Sequence, residues 1–288
     1  MIRLVCAGAV AGAIAWTAAV PAMAQGAATS NIQISYEEPR NNVLRPVYDR
    51  LRQRQVLERA QKFLSPLRLP RPLTVRTAQC GGVSLPYQPA QVVTLCYEFV
   101  AQVEKQAPPP SDVNVIGAAF VTRNMAIVGP VVHALLHDVS RAVFDMLEIP
   151  VWGHAVDAAD HVAAFLMLQF GPDVAQKTIF GTALYLSKTS EAYDPQNINP
   201  HVAQRYYNVL CMAIGHDLVR YAAFIPLKRP EQPGDLPLSR LGKCASLEPS
   251  EYTEYGKVRY AFAALFLENH VDEELMKEVQ GIDWLKED

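Results

Sequence analysis

Two histidines one helical turn apart, His133 and His137, stand in the run Val131-Val132-His133-Ala134-Leu135-Leu136-His137-Asp138-Val139-Ser140-Arg141. Residues four apart share one face of a helix, so His133, His137 and Arg141 point the same way. Two histidines at that spacing can hold Zn²⁺. A zinc hydrolase also needs a glutamate beside the first histidine as general base, and a third ligand from another element. Ala134 occupies the position next to His133. A second run, Asp157-Ala158-Ala159-Asp160-His161, supplies two carboxylates that could complete a set with the histidines. The plainer reading is that these histidines are hydrogen-bonded residues on a half-buried helix face.

The remaining polar candidates read as structural. His154 follows Gly153 and starts a helix, His201 follows Pro200 in a solvated loop, and His216 marks a helix irregularity between Gly215 and Asp217. No GxSxG elbow, GxxxxGK[ST] phosphate loop or GxGxxG fingerprint occurs, which removes the commonest hydrolase and nucleotide-binding signatures.

The elements that must position these residues are mostly helical. Asn42 to Leu64 repeats apolar residues at helical spacing, and Leu69-Pro70-Arg71-Pro72 ends it because proline cannot continue a helix. Leu73 to Thr77 alternates like a strand, and Val92 to Cys96 reads as its hairpin partner after the turn Pro86-Tyr87-Gln88-Pro89. Helices are expected over Glu98 to Lys105, Pro130 to Glu148, Val156 to Phe170, Val202 to Arg220 and Glu251 to Asn269, with a proline-rich loop at Pro226 to Pro237. The charge mixture from Asp272 to Asp288 reads as a solvated terminal helix. No long βαβ alternation is present, which argues against a doubly wound sheet. The fold expected is α+β, mostly helical, with a small β-hairpin or sheet and a pair of central helices.

Of the 288 residues, half are hydrophobic and the formal net charge is −3, so there is ample core and no basic field for nucleic acid. Arg3, the apolar run Leu4 to Val20 and Ala22-Met23-Ala24 read as a signal peptide over residues 1–24, cleaved near Ala24. No further stretch of 18 apolar residues follows, so no membrane span is expected in the mature chain. Residues 25–41 are then a flexible N-terminal segment, and 42–288 one domain. Secretion, or export to a periplasm, removes Cys6 and leaves Cys80, Cys96, Cys211 and Cys244 in an oxidising compartment. Four cysteines allow three pairings; proximity favours Cys80–Cys96 and Cys211–Cys244.

Four short motifs in order resemble one secreted bacterial family, known only as putative zinc metallopeptidases of unknown function. They are Leu69-Pro70-Arg71-Pro72-Leu73-Thr74, then Gln79-Cys80-Gly81 through Thr94-Leu95-Cys96-Tyr97-Glu98, then Gln204-Arg205-Tyr206-Tyr207-Asn208-Val209-Leu210-Cys211 with Gly215, and finally Arg240 and Cys244 followed by Glu251-Tyr252 or Glu254-Tyr255. The resemblance spans roughly Asn42 to Tyr260 and implies a zincin-like fold. In such families HExxH is followed by a Leu-Pro turn and a Glu-x-x-Ala-Asp helix. Anchoring on Asp145, Ile149-Pro150 and Ala158-Ala159-Asp160 puts the first ligand on His137, the general base on Asp138, the second ligand on Arg141 and the third on Val156.

That register keeps one ligand of three. Arginine stays protonated and cannot bind zinc, valine has no lone pair, and aspartate is one methylene shorter than glutamate. The resemblance therefore implies the fold together with a degraded metal motif: no resident cofactor, no catalytic group beyond Asp138 at the base position, and a non-catalytic protein that binds or scaffolds a peptide or protein partner. The alternative is a metal-dependent peptidase whose zinc site is rebuilt from His133, His137 and Asp157 or Asp160. The resemblance also implies a hydrogen bond from Asp160 to His137. With the metal gone, Arg141 is expected to balance the former-site carboxylates by bridging to Asp157 or Asp160.

Overall fold

The computed structural model describes residues 31–83, 91–112, 114–151, 153–191, 200–226, 235–245, 253–262, 282 and 284–285. The segment read as a signal peptide over residues 1–24, the turn expected at 86–89 and most of the terminal helix expected over 272–288 lie outside these residues.

Three short strands, β1 (Ile32–Tyr36), β2 (Leu73–Ala78) and β3 (Val92–Cys96), form one sheet in the order β1-β2-β3. Residues 32–36 were expected within a flexible segment; alternation of Ile32, Ile34 and Tyr36 instead lets them pair with β2 from Ile32↔Leu73 to Tyr36↔Thr77. Both pairings are parallel, so β2 and β3 are not a hairpin. The physical reason lies in the Cys80–Cys96 disulfide, with Cα atoms 5.5 Å apart. It joins the carboxyl ends of the two strands, where Ala78 pairs with Cys96, and the intervening chain is long enough for a crossover. Glu98 adds a second clamp, accepting from the backbone N–H of Cys80 (3.0 Å) and Gly81 (2.8 Å). The antiparallel hairpin lies elsewhere, between β4 (Asn114–Ile116) and β5 (Ala119–Val121).

Asn42 to Leu64 is broken into a 3-10 turn at Asn42–Leu44, α1 (Arg45–Gln53) and α2 (Val56–Leu64). Gln55 adopts a left-handed conformation, φ 50°, and divides the two helices. After β3, α3 (Tyr97–Gln106) leads to α4 (Arg123–Met146), which begins seven residues before the expected Pro130. Thr122 caps α4 by accepting from the Met125 N–H at 3.4 Å, and Pro130 stands inside the helix, forgoing one bond to the preceding turn.

Next come α5 (Ala155–Met167), extended by a 3-10 turn to Phe170, then α6 (Pro172–Glu191), α7 (Pro200–His216), α8 (Leu238–Cys244) and α9 (Glu254–Phe262). The sequence gives little sign of α6. Its residues from Thr178 to Leu184 are buried all round, so no polar face marks a helical period. Thr178 and Thr182 satisfy their hydroxyls on the carbonyls one turn back.

The core sits between the sheet and a layer in which α4 packs on α5, α6 and α3. Among the described residues α4 is the one helix long and apolar enough to cross a membrane, yet 67% of that apolar window is buried inside the protein. It is the central core helix. Its contact with α6 is made backbone to backbone: a Cβ on Gly181 would meet the Met125 carbonyl oxygen, and one on Gly129 the Thr178 carbonyl oxygen. The second disulfide, Cys211–Cys244, ties α7 to α8 with Cα atoms 4.5 Å apart. Both disulfides are the pairings that proximity favoured, and they suit an oxidising compartment.

Candidate functional site

The site lies between α4, α5 and α7. His133 and His137 are buried on one face of α4, and their rings are 6.2 Å apart. Asp160, on the buried face of α5, reaches the same space with no solvent exposure. His137 Nδ1 is 2.8 Å from Asp160 Oδ1, the hydrogen bond implied by the resemblance. Asp160 is ionised, so the His137 Nδ1–H donates to it. His133 Nε2 stands 3.6 Å from the same Oδ1 and has no hydrogen-bond partner among the described residues.

A third helix closes the cluster. Arg205 of α7 grips Asp160 at two points, Nε to Oδ2 at 3.0 Å and Nη2 to Oδ1 at 2.8 Å. The sequence assigned the balancing charge to Arg141 and read Arg205 only as part of a family motif. On Asp160 that cation is Arg205, because α5 and α7 face each other with complementary spacing. Asp157 and Asp160, three apart, meet Asn208 and Arg205, three apart in the reverse order; Asn208 Nδ2 donates to Asp157 Oδ1 at 3.0 Å. Gln204 then donates to Asn208 Oδ1 (2.6 Å) and accepts from Arg240 of α8 (3.1 Å). Arg240 also stacks over Tyr207, 4.2 Å from its ring centre. Both spacings stand in the sequence, but only the packing of α7 on α5 shows that they pair.

Burial alone would raise the Asp160 carboxyl, but the hydrogen bonds from His137 and Arg205 outweigh it and hold the group ionised well below the usual carboxylate range. Burial pushes His133 down to about 3, so it is neutral. Asp138, next to His137, shifts upward through burial, against the pull of His137, Arg141 and Arg205. The Arg141 charge thus bears on Asp138, three residues before it on α4. Val156, at the third ligand position, is 36% exposed at the start of α5. His154 is the N-cap residue of α5, and His216 closes α7 against the Tyr255 ring at 4.9 Å. The side chain of His201 lies outside the described residues.

A zinc ion does not fit these groups. The 3.6 Å between His133 Nε2 and Asp160 Oδ1 is near the roughly 3.3 Å separating two ligand atoms of a tetrahedral zinc. Arg205 Nη2, however, already contacts that oxygen and lies 3.5 Å from His137 Nδ1. A divalent cation there would face a permanent positive charge. Asp157 is turned to Asn208. Among the described residues no group of three or more His, Cys, Asp or Glu side chains is arranged to hold a metal.

A family model described as "Putative metallopeptidase" matches residues 36–259. No curated protein and no solved structure matches the chain.

Proposed function

The chain belongs to this family of putative metallopeptidases, matched over most of its length, and we propose that it is a non-catalytic binding or scaffolding member, exported to an oxidising compartment. The observation that carries this reading is the Arg205 guanidinium on Asp160. It provides internally the positive charge that a metal centre would otherwise supply. Two further features support it: Arg141 and Val156 at the positions where the family motif has ligands, and Asp138 in place of the longer glutamate. Export is supported by the two disulfides and by the sequence pattern of residues 1–24.

A second reading is favoured by the unpartnered Nε2 of His133. In it, His133, His137 and Asp160 take a metal after Arg205 swings aside. Metal analysis of the purified chain separates the two. Bound zinc well below one per chain, with no chelator-sensitive cleavage of a denatured protein substrate, is expected for the first. About one zinc per chain, lost together with cleavage on chelation, would establish the second.

A further inference from the structure

A cavity of about 360 Å³ opens where α1, α2, α3 and α4 meet, within the size range of small-molecule pockets. It is separate from the His137 site: Ile127, Val128, Val131 and Val132 line it from α4, roughly half a turn around that helix from His133 and His137. Leu51 of α1 and Val100 of α3 continue the same apolar wall. At the packing of an organic liquid, a chamber of this size takes on the order of ten non-hydrogen atoms.

The arginines that line it are held by the protein itself. Arg50 grips Glu104 through Nε at 2.9 Å and through Nη2. Arg123 donates to the carbonyls of Pro108 at 2.8 Å and Glu104 at 3.1 Å, and Arg54 donates to Asn124 Oδ1 at 3.3 Å. Arg59 is engaged as well. None of the four stands as a spare cation, so recognition rests on the apolar wall and on a polar group there that lacks a partner.

That group belongs to Trp284. The residue lines the cavity, is only 4% exposed, and packs against Phe63 and Phe170 at ring-centre distances of 6.2 and 5.3 Å. Asn124 donates to the carbonyl oxygen of the next residue, Leu285, at 2.8 Å, which fixes the backbone beside the indole. The indole N–H has no acceptor among the described residues. A buried donor left unpaired is unfavourable, and an oxygen from a ligand would relieve it.

We propose that this cavity binds a small, neutral, mostly apolar molecule carrying one oxygen acceptor. Its chain lies on the α1–α3–α4 wall, and its oxygen accepts from the Trp284 indole N–H. A carboxylate is the poorer inserted group, because its charge would be buried against aliphatic side chains with no cation set aside for it.

Isothermal titration of the purified chain with nonan-2-one, propylbenzene and nonanoate tests this, together with NMR of the indole N–H protons. Nonan-2-one should bind one per chain, with Kd on the order of 100 μM. It should also move the Trp284 indole resonance downfield, that resonance being the one lost in Trp284→Phe. Propylbenzene, an apolar filler without an oxygen, should bind without the downfield shift. Nonanoate should bind roughly tenfold more weakly than the ketone. Trp284→Phe should weaken the ketone about fivefold, the worth of one hydrogen bond, and propylbenzene less than about twofold. Val128→Phe should weaken both by roughly tenfold through narrowing the chamber, with circular dichroism unchanged. Three results on the parent protein alone would overturn the proposal: no heat from nonan-2-one up to about 1 mM, binding that leaves the indole resonance in place, or nonanoate binding as tightly as the ketone. So would an equal loss of ketone and propylbenzene affinity in a folded Trp284→Phe variant.

Discussion

Arg205 and Asp160, 45 residues apart in sequence, meet as a two-point ion pair in which the carboxylate is fully buried. The same carboxylate receives His137, so one side chain fixes three helices relative to each other. Removing a partner from such a pair leaves a charge without compensation.

Arg205→Ala should therefore destabilise the protein by about 3–5 kcal/mol. Arg205→Ala combined with Asp160→Asn should recover much of that loss, since a neutral amide needs no counter-charge. Urea unfolding of the two variants is the measurement. A loss below about 1 kcal/mol in the single variant would show that Arg205 is not what neutralises Asp160.

The buried histidine sets the acid limb of stability. His133 is pushed down to about 3 in the native protein, against an ordinary 6.5 in the unfolded chain. Between those values the unfolded state binds a proton that the native state does not, so stability falls as pH falls from about 6.5. Asp160, held below its ordinary 3.8, adds loss of the same sign from roughly pH 5 downward. Unfolding free energy should drop by a few kcal/mol between pH 7 and pH 4. His133→Gln should flatten that slope; an unchanged slope in the variant would remove His133 as its cause.

Gly181→Ala should destabilise by about 3 kcal/mol or more. The added Cβ would meet the Met125 backbone carbonyl, closer than the 3.0 Å that real Cβ atoms respect, and backbone cannot rotate aside as a side chain can. Gly242→Ala is the control, because nothing lies within 4 Å of a Cβ there. Comparable thermal midpoints for the two variants would contradict the close approach of α4 and α6.

Thiol titration of denatured, unreduced protein should find Cys80, Cys96, Cys211 and Cys244 all blocked. Replacing Cys80 and Cys96 by serine removes a crosslink across 16 residues, worth about 3 kcal/mol by chain entropy, and replacing Cys211 and Cys244 one across 33, worth about 4. Midpoints of guanidinium unfolding should fall in that order.

Local rules made much of this legible. Helical periodicity located α4, α5 and α7 to within a few residues at most ends, and cysteine proximity gave both disulfides. The errors share a cause: a partner distant in sequence. Strand β2 has a parallel neighbour that no turn residue announces, and α6 is buried all round, so periodicity has no polar face to follow. At the site, His137 and Asp160 were identifiable from their motif register. Arg205 was not, since an arginine among tyrosines shows its charge partner only once α7 lies against α5.

The parallel sheet also sets an order of events during synthesis. Strand β1 precedes the other strands, yet its one neighbour among the described residues, β2, begins 37 residues after β1 ends, beyond both α1 and α2. Until then Ile32, Ile34 and Tyr36 belong to an edge with nothing beside it, open to any other extended chain. Until Leu73 is present, that edge can be covered only by a chain other than its native neighbour.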